Sequence, residues 1–279
     1  MATDPLTIAT SKGTALIVLS PHLDDAVLSC GALLAAAGRR LPVTVLTFFT
    51  EAGPPPYTLS ARRYLKLAGS TDAYDLYASR RAEDREVLEQ MGVSWHHLGL
   101  PDGQFRRKRG PAAQDRGQRL SWPDHIYPTY RLHLASGRIS RKDAATLHRV
   151  TEAIAEAVST EPALLLAPLG IGGHVDHRLV RTAAERSHSP VIYYSDFPYN
   201  LCGAVDGAFA RRHALVKATW GHGLKEKAAL IRGYRSQFPA LFPDGHVPTV
   251  PEVYMMPDHL ARYPYAEDGI STGGTHEHE

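Results

Sequence analysis

Cysteine is scarce in this chain: Cys30 and Cys202 are the only two among 279 residues. Two cysteines so far apart build neither a disulfide framework nor a cysteine-based zinc cage. Cys30 falls in an expected helix and reads as a small core residue, the usual place of a free cysteine. Long apolar runs are missing too. None approaches the ~18 residues a membrane-spanning helix needs, and the opening MATDPLTIATSKG lacks the basic-then-apolar order of a secretory signal. Charge of one sign is not in excess: 31 Lys and Arg against 29 Asp and Glu leave a formal net charge of +2. That balance gives no general pull toward nucleic acid or membrane. A Walker-type lysine loop is absent, and GIGGH lacks the third glycine of a dinucleotide fingerprint. With 43% hydrophobic and 22% charged residues, the chain has an ordinary globular composition. One domain over residues 1–279, in the cytoplasm, is the expectation.

What is present alternates. Residues 14–20 (TALIVLS) form a short apolar run of the kind buried in a parallel sheet. Asp24 or Asp25 is placed to cap a helix through AVLSCGALLAAAGRR. Residues 42–49 (PVTVLTFF) read as a second strand, 77–91 as a helix stopped by Gly92, and VSWHHLGL as a third strand. A helix over 144–158, a buried strand over 163–168 (ALLLAP), a helix from GIGGHVDHR onward and a strand over 191–195 (VIYYS) complete the series. Strands alternating with helices make an α/β domain with a mainly parallel sheet flanked by helices. Residues 101–141 are polar, basic and aperiodic, as expected of a lid insertion. Residues 268–279 read as a loose tail.

Two polar clusters follow buried strands. The first, SPHLDD, holds His22, Asp24 and Asp25; the second, GGHVDH, holds His174, Asp176 and His177. With 15 histidines in 279 positions, roughly 0.7 His-x-x-His pairs arise by chance. His-x-Asp-Asp is rarer, roughly one in twenty random chains of this composition. The shared placement is what counts, because α/β sheets hold ligands beyond the carboxyl ends of their strands. Two histidines and a carboxylate make a catalytic-type zinc site with one position open. Neighbouring aspartates at a helix start point apart, so one can ligate while the other faces a water. The spacing alone leaves open which residues are ligands and which are acid and base.

SPHLDDAVLSCG together with HVDH resembles the zinc-dependent N-acetylglucosaminyl deacetylases, the LmbE-like or GlcNAc-PI de-N-acetylase superfamily. RRAEDREVLEQMG, LGLPDGQF, YYSDFPY and KAALIRGYRSQ extend the likeness from Ala15 to about Gln237. The resemblance implies a Rossmann-like sheet and zinc held by His22, Asp25 and His177, with iron or another divalent metal as the alternative. It implies Asp24 as general base and His174 as a cationic electrophile. Asp176 would orient or acidify that histidine, and Arg80 and Asp102 would contact substrate. The chain departs from the family at Leu23 and Ala26, which replace a common proline and glutamate, and at Gly172, where some relatives carry tyrosine.

The resulting expectation is a hydrolase that removes an N-acetyl or related acyl group from an amino sugar. Its partner is a small molecule, without nucleic acid or a transmembrane segment, and a homo-oligomer is compatible with it. The rivals are an amidase of the same fold acting on a thiol conjugate or non-sugar amide, and a non-catalytic sugar- or nucleotide-binding module. Asp24 discriminates, since a binding module has no need of a free carboxylate beside a metal. The basic run 106–110 (RRKRG) reads as a solvated face of the lid that could dock an anionic group. His96 and His97 face opposite sides of a strand and are not expected as ligands. Tyr193, Tyr194 and DFPY are open to sugar stacking or core packing.

Overall fold

The computed structural model describes residues 3–108 and 124–262. Its centre is a seven-stranded sheet in the order β3-β2-β1-β4-β5-β7-β6. The strands are β1 (Ala15–Ser20), β2 (Val43–Thr47), β3 (Ser94–His97), β4 (Ala163–Pro168), β5 (Val191–Tyr194), β6 (Leu215–Trp220) and β7 (Glu252–Pro257). β1 to β5 run parallel, and β7 is antiparallel to both β5 and β6. Every residue of β1 and β4 is buried, as continuous apolar runs require of strands covered on both faces.

Alternate residues of β1 serve two cores. Leu16 and Val18 pack with Leu33 and Val45 on one face, while Ile17 and Leu19 pack with Ile154 and Leu179 on the other. The helices α1 (Pro5–Lys12), α2 (Asp25–Ala37), α3 (Leu59–Leu67), α4 (Ala73–Gln90), α5 (Ala144–Ala157), α6 (Val175–Ala184), α7 (Gly207–Arg212) and α8 (Leu224–Ile231) cover the sheet and its ends. None of the described helices is long and apolar enough to cross a membrane.

The five expected strands are present, but the series does not close at β5. Two more follow, β6 and β7, and β7 inserts between β5 and β6. Their burial alternates or is partial, so neither gives the solid apolar run that marks β1 and β4. α1, α3, α7 and α8 also lack a counterpart among the expected elements. α4 begins ahead of the expected Tyr77, because the Asp72 side chain accepts from Tyr74 N and Asp75 N.

The described part of the expected lid is anchored rather than loose. Asp102, Gln104, Phe105, Arg106, Tyr127 and Leu134 are buried. Arg106 in particular is not part of a solvated face: two buried carboxylates, Asp143 and Asp176, need a cation, and its guanidinium supplies it. Residues 109–123 and the expected tail lie outside the described residues.

The connections leave β1 toward β2 and leave β4 toward β5, on opposite sides. The boundary between β1 and β4 is therefore a topological switch point, where a crevice opens past the strand ends. Both polar clusters stand there.

Candidate active site

Ser20, the last residue of β1, decides what the two aspartates are free to do. Its hydroxyl accepts from Ala26 N at 3.0 Å and donates to the His22 carbonyl at 2.8 Å. The Ala26 N–H in the first turn of α2 is thus capped by Ser20 and not by Asp24, whose side chain makes no capping hydrogen bond although it sits at the N-cap. Asp25 Oδ2 accepts from His22 N at 2.9 Å. The same oxygen lies 3.0 Å from His22 Nδ1 and 3.2 Å from His177 Nε2. Neither carboxylate is spent on an ordinary helix cap.

The loop after β4 approaches through Gly170, Gly172 and Gly173, all at positive φ. A Cβ on Gly173 would stand 2.9 Å from the Ala135 carbonyl oxygen, so only glycine brings the backbone this close. The loop delivers His174 to the N-cap of α6, where its Nδ1 accepts from Asp176 N at 3.3 Å. An accepting Nδ1 leaves Nε2 to carry the proton of a neutral ring. His177 follows, with Nδ1 2.6 Å from Asp196 Oδ1. Asp196 is itself fixed by Ile171 N, which donates to Oδ2 at 2.9 Å. The His22 and His174 rings meet edge to face at 5.0 Å.

The Asp176 carboxylate does not turn toward His174 as expected. It lies 3.1 Å from His22 Nε2, accepts from Gly103 N at 2.9 Å and pairs with Arg106. The cause is the strong demand of buried Arg106, together with the close approach that Gly103 permits. Asp102 is also drawn inward: it accepts from Tyr77 OH at 2.6 Å and Gln104 N at 2.8 Å, and lies 3.5 Å from His22 Nε2. Arg80 lies 3.4 Å from Asp24 Oδ1 and donates to Tyr64 OH at 2.9 Å.

The environments set these groups apart electrically. Burial pushes the Asp24 carboxyl up to about 6, against the pull of Arg80. Burial acts on Asp25 in the same sense, but His177 and His22 outweigh it and hold that carboxyl well below the usual range. His22 is raised to about 9, because the Asp176 and Asp25 carboxylates outweigh its burial. His177 is raised strongly, Asp25 and Asp196 overcoming burial. His174 goes the other way. Burial lowers it to about 4, with Asp176 only partly offsetting, so it is a neutral ring near pH 7 rather than the expected cation.

The donor set fits a divalent cation. Two imidazole nitrogens converge on one carboxylate oxygen, and the far nitrogen of His177 is braced by Asp196, the usual outer partner of a metal-binding histidine. His22, His174 and His177 each bring a ring nitrogen within 4.8 Å of the others. His22, Asp102 and Asp176 form a second such group. The expected trio shares His22 and His177 with the first group, and Asp25 Oδ2 lies between them.

A cavity of about 1630 Å³ opens over the cluster, lined by His22, Asp24, Asp25, Arg80, Asp102, His174 and His177 among others. Asp143, Asp176 and Asp196 stand behind this wall. Tyr199 lines the cavity as well, from the DFPY run, its ring packed over Gly172 and edge-on to His177 at 6.3 Å. Tyr193 and Tyr194 are buried and belong to the core. His97 lies 2.9 Å from Asp84, away from the cavity lining.

Residues 17–187, which carry both clusters and the strands β2, β3 and β4, match the family model of the GlcNAc-PI de-N-acetylases, PIG-L. The chain belongs to the GlcNAc-PI de-N-acetylase family. The 2'-N-acetylparomamine deacetylase of Streptomyces fradiae is 33% identical to this chain over 194 residues. That match covers 67% of this chain and 58% of the relative, so the chain spans little more than half the relative's length. A deacetylase of the teicoplanin biosynthesis pathway, solved in complex with teicoplanin, is 26% identical with a TM-score of 0.66, covering 87% of this chain and 98% of that one. A zinc-inhibited form of a teicoplanin deacetylase is 26% identical with a TM-score of 0.65, covering 87% and 97%.

Proposed function

We propose that this GlcNAc-PI de-N-acetylase family member is a zinc-dependent amide hydrolase that removes an N-acetyl or related N-acyl group from an amino-sugar conjugate. One observation carries the reading: Asp24 is a buried carboxylate released from capping, raised to about 6 and facing a cavity beside a two-histidine, one-carboxylate cluster. A binding module has no use for such a group. The names of the relatives point the same way, with N-acetylated amino sugars and a teicoplanin-pathway deacetylase among them.

His22, Asp25 and His177 would hold the metal, and Asp196 would fix the His177 ring. Zinc suits imidazole and carboxylate donors, and one structural relative was solved in a zinc-inhibited form. When bound, the ion supplies Lewis acidity toward the amide carbonyl and toward water. The two histidines carry protons in its absence and give them up as ligands, so loading releases protons.

The rest falls to the chain's own side chains. Asp24, ionised above pH 6, takes the proton of the attacking water, the task its raised pKa suits. Arg80 keeps that carboxylate charged and oriented. His174 donates its Nε2 hydrogen to the carbonyl oxygen as negative charge grows there, acting as a neutral donor. The proton held by Asp24 passes to the amide nitrogen as the C–N bond breaks, leaving a free amine and a carboxylate. Asp176 and Asp102 act through His22 and the cavity wall. The test is amine release from a panel of N-acylated amino sugars and glycosides. Release that depends on Asp24 supports the reading; tight binding of the panel without turnover would favour a binding module.

A further inference from the structure

Beyond the histidine cluster, the cavity mouth is built from two segments with a common character. α3 sets Leu59, Arg63 and Leu67 along one stripe, four residues apart, with Arg62 beside it. Leu59 is 68% and Leu67 61% exposed. Both leucines line the cavity, while Ala61 and Leu65 on the other side anchor the helix against Leu76 and Tyr77. Also on the cavity wall stand Tyr130, 48% exposed, and Arg131. Large apolar side chains left bare at a cavity mouth mark a surface that something covers.

The charge at this mouth is unbalanced. Among the described residues, the guanidinium groups of Arg62, Arg63 and Arg131 have no hydrogen-bond or ion-pair partner. Among the described residues, the Arg107 side chain donates to the carbonyl oxygens of Pro54 and Pro56, which carry no net charge. The deeper carboxylates are engaged: Asp24 with Arg80, Asp25 with two histidines, Asp102 with Tyr77. Asp124 is the one carboxylate lining the cavity without a side-chain partner among the described residues. Among the described residues, four guanidinium groups without a carboxylate partner stand against one unpaired carboxylate, interleaved with leucine and tyrosine, and together they complement an amphipathic anion.

We propose that this mouth is the aglycone subsite, which selects amino-sugar conjugates whose aglycone joins an apolar or aromatic surface to a carboxylate or phosphate. It disfavours amino sugars carrying several ammonium groups, such as paromamine, even though a curated relative is named for that compound. The inference rests on the amide-hydrolase reading for the sugar end of the ligand and on the mouth's own residues for the other end.

The test separates the two. Binding of the amine products phenyl, 4-carboxyphenyl and 4-phosphophenyl glucosaminide to the full chain is measured by calorimetry, and acetate release is measured from their N-acetyl forms and from 2'-N-acetylparomamine. The carboxyphenyl and phosphophenyl compounds should bind about fivefold or more tighter than phenyl at low ionic strength, with the gap closing at high salt. Whichever anion gains more identifies the group selected. The double variant Arg62→Glu, Arg63→Glu should reverse the order of charged and neutral compounds. Equal affinities in the unmodified protein, or preferred turnover of 2'-N-acetylparomamine, would overturn the subsite. No acetate from any compound, with the binding order intact, would strike the hydrolase reading and leave the charge preference of the mouth standing.

Discussion

Asp196 Oδ1 lies 2.6 Å from His177 Nδ1, which fixes the ring so that Nε2 faces Asp25 Oδ2 at 3.2 Å. A carboxylate behind a metal-binding histidine sets its tautomer and raises its basicity. Asp196→Asn should therefore weaken zinc affinity by about 10- to 100-fold while the fold is retained. Competition with a chelator dye measures this, and circular dichroism checks the fold.

Asp24 and Asp25 should separate cleanly. Asp24→Asn should keep zinc near the unmodified level while kcat/KM falls about 10²-fold or more, the scale of a lost general base. Asp25→Ala should lose metal first and activity as a consequence. Metal analysis beside steady-state rates distinguishes them, and the opposite pattern would exchange base and ligand.

The pH profile follows from Asp24 and His174. Asp24 must be ionised, and its carboxyl is raised to about 6, so kcat/KM should climb with pH through that value. His174 is lowered to about 4 and is already neutral wherever Asp24 is ionised. It should add no descending limb near neutrality, and His174→Ala should be slow at every pH. A descending limb above pH 7 that disappears in His174→Ala would show that a cationic His174 takes part.

Asp176 has a structural load that its place in the sequence motif conceals. Its carboxyl is depressed, because Arg106 and the His22 hydrogen bond overcome the effect of burial. A depressed carboxyl contributes stability above the unfolded pKa of about 4, lost as pH falls through the lower folded value. Asp176→Asn removes one of two carboxylates from buried Arg106 and should cost about 3 kcal/mol at pH 7. The difference should shrink below pH 4. Denaturant titrations at pH 7 and pH 3.5 measure it.

The legible parts were those with dense local signals. β1 and β4 announced themselves as solid apolar runs, and the polar clusters behind them marked the switch point. Asp196 was visible only as one residue of a run shared with the deacetylases. Its partner sits 19 positions earlier, and no local spacing rule links them. The aim of Asp176 is not legible in the sequence, because its spacing to His174 is local whereas Arg106 lies 70 residues away. Ser20 was equally hidden: a serine ending a strand gives no sign that it will take over the cap and free Asp24. β6 and β7 escaped because their half-buried patterns depend on β5 as a template, which is tertiary information.

Acetate release from an N-acetylglucosaminyl conjugate, by untagged protein stripped with a chelator and then returned to one equivalent of zinc, separates a zinc-dependent hydrolase with Asp24 as its base from every rival. The stripped protein should be inactive, one zinc per chain should restore the rate, and Asp24→Asn loaded with the same zinc should remain at least about 10²-fold slower. Full activity in the stripped protein, or an Asp24→Asn rate equal to the unmodified one, would contradict the account.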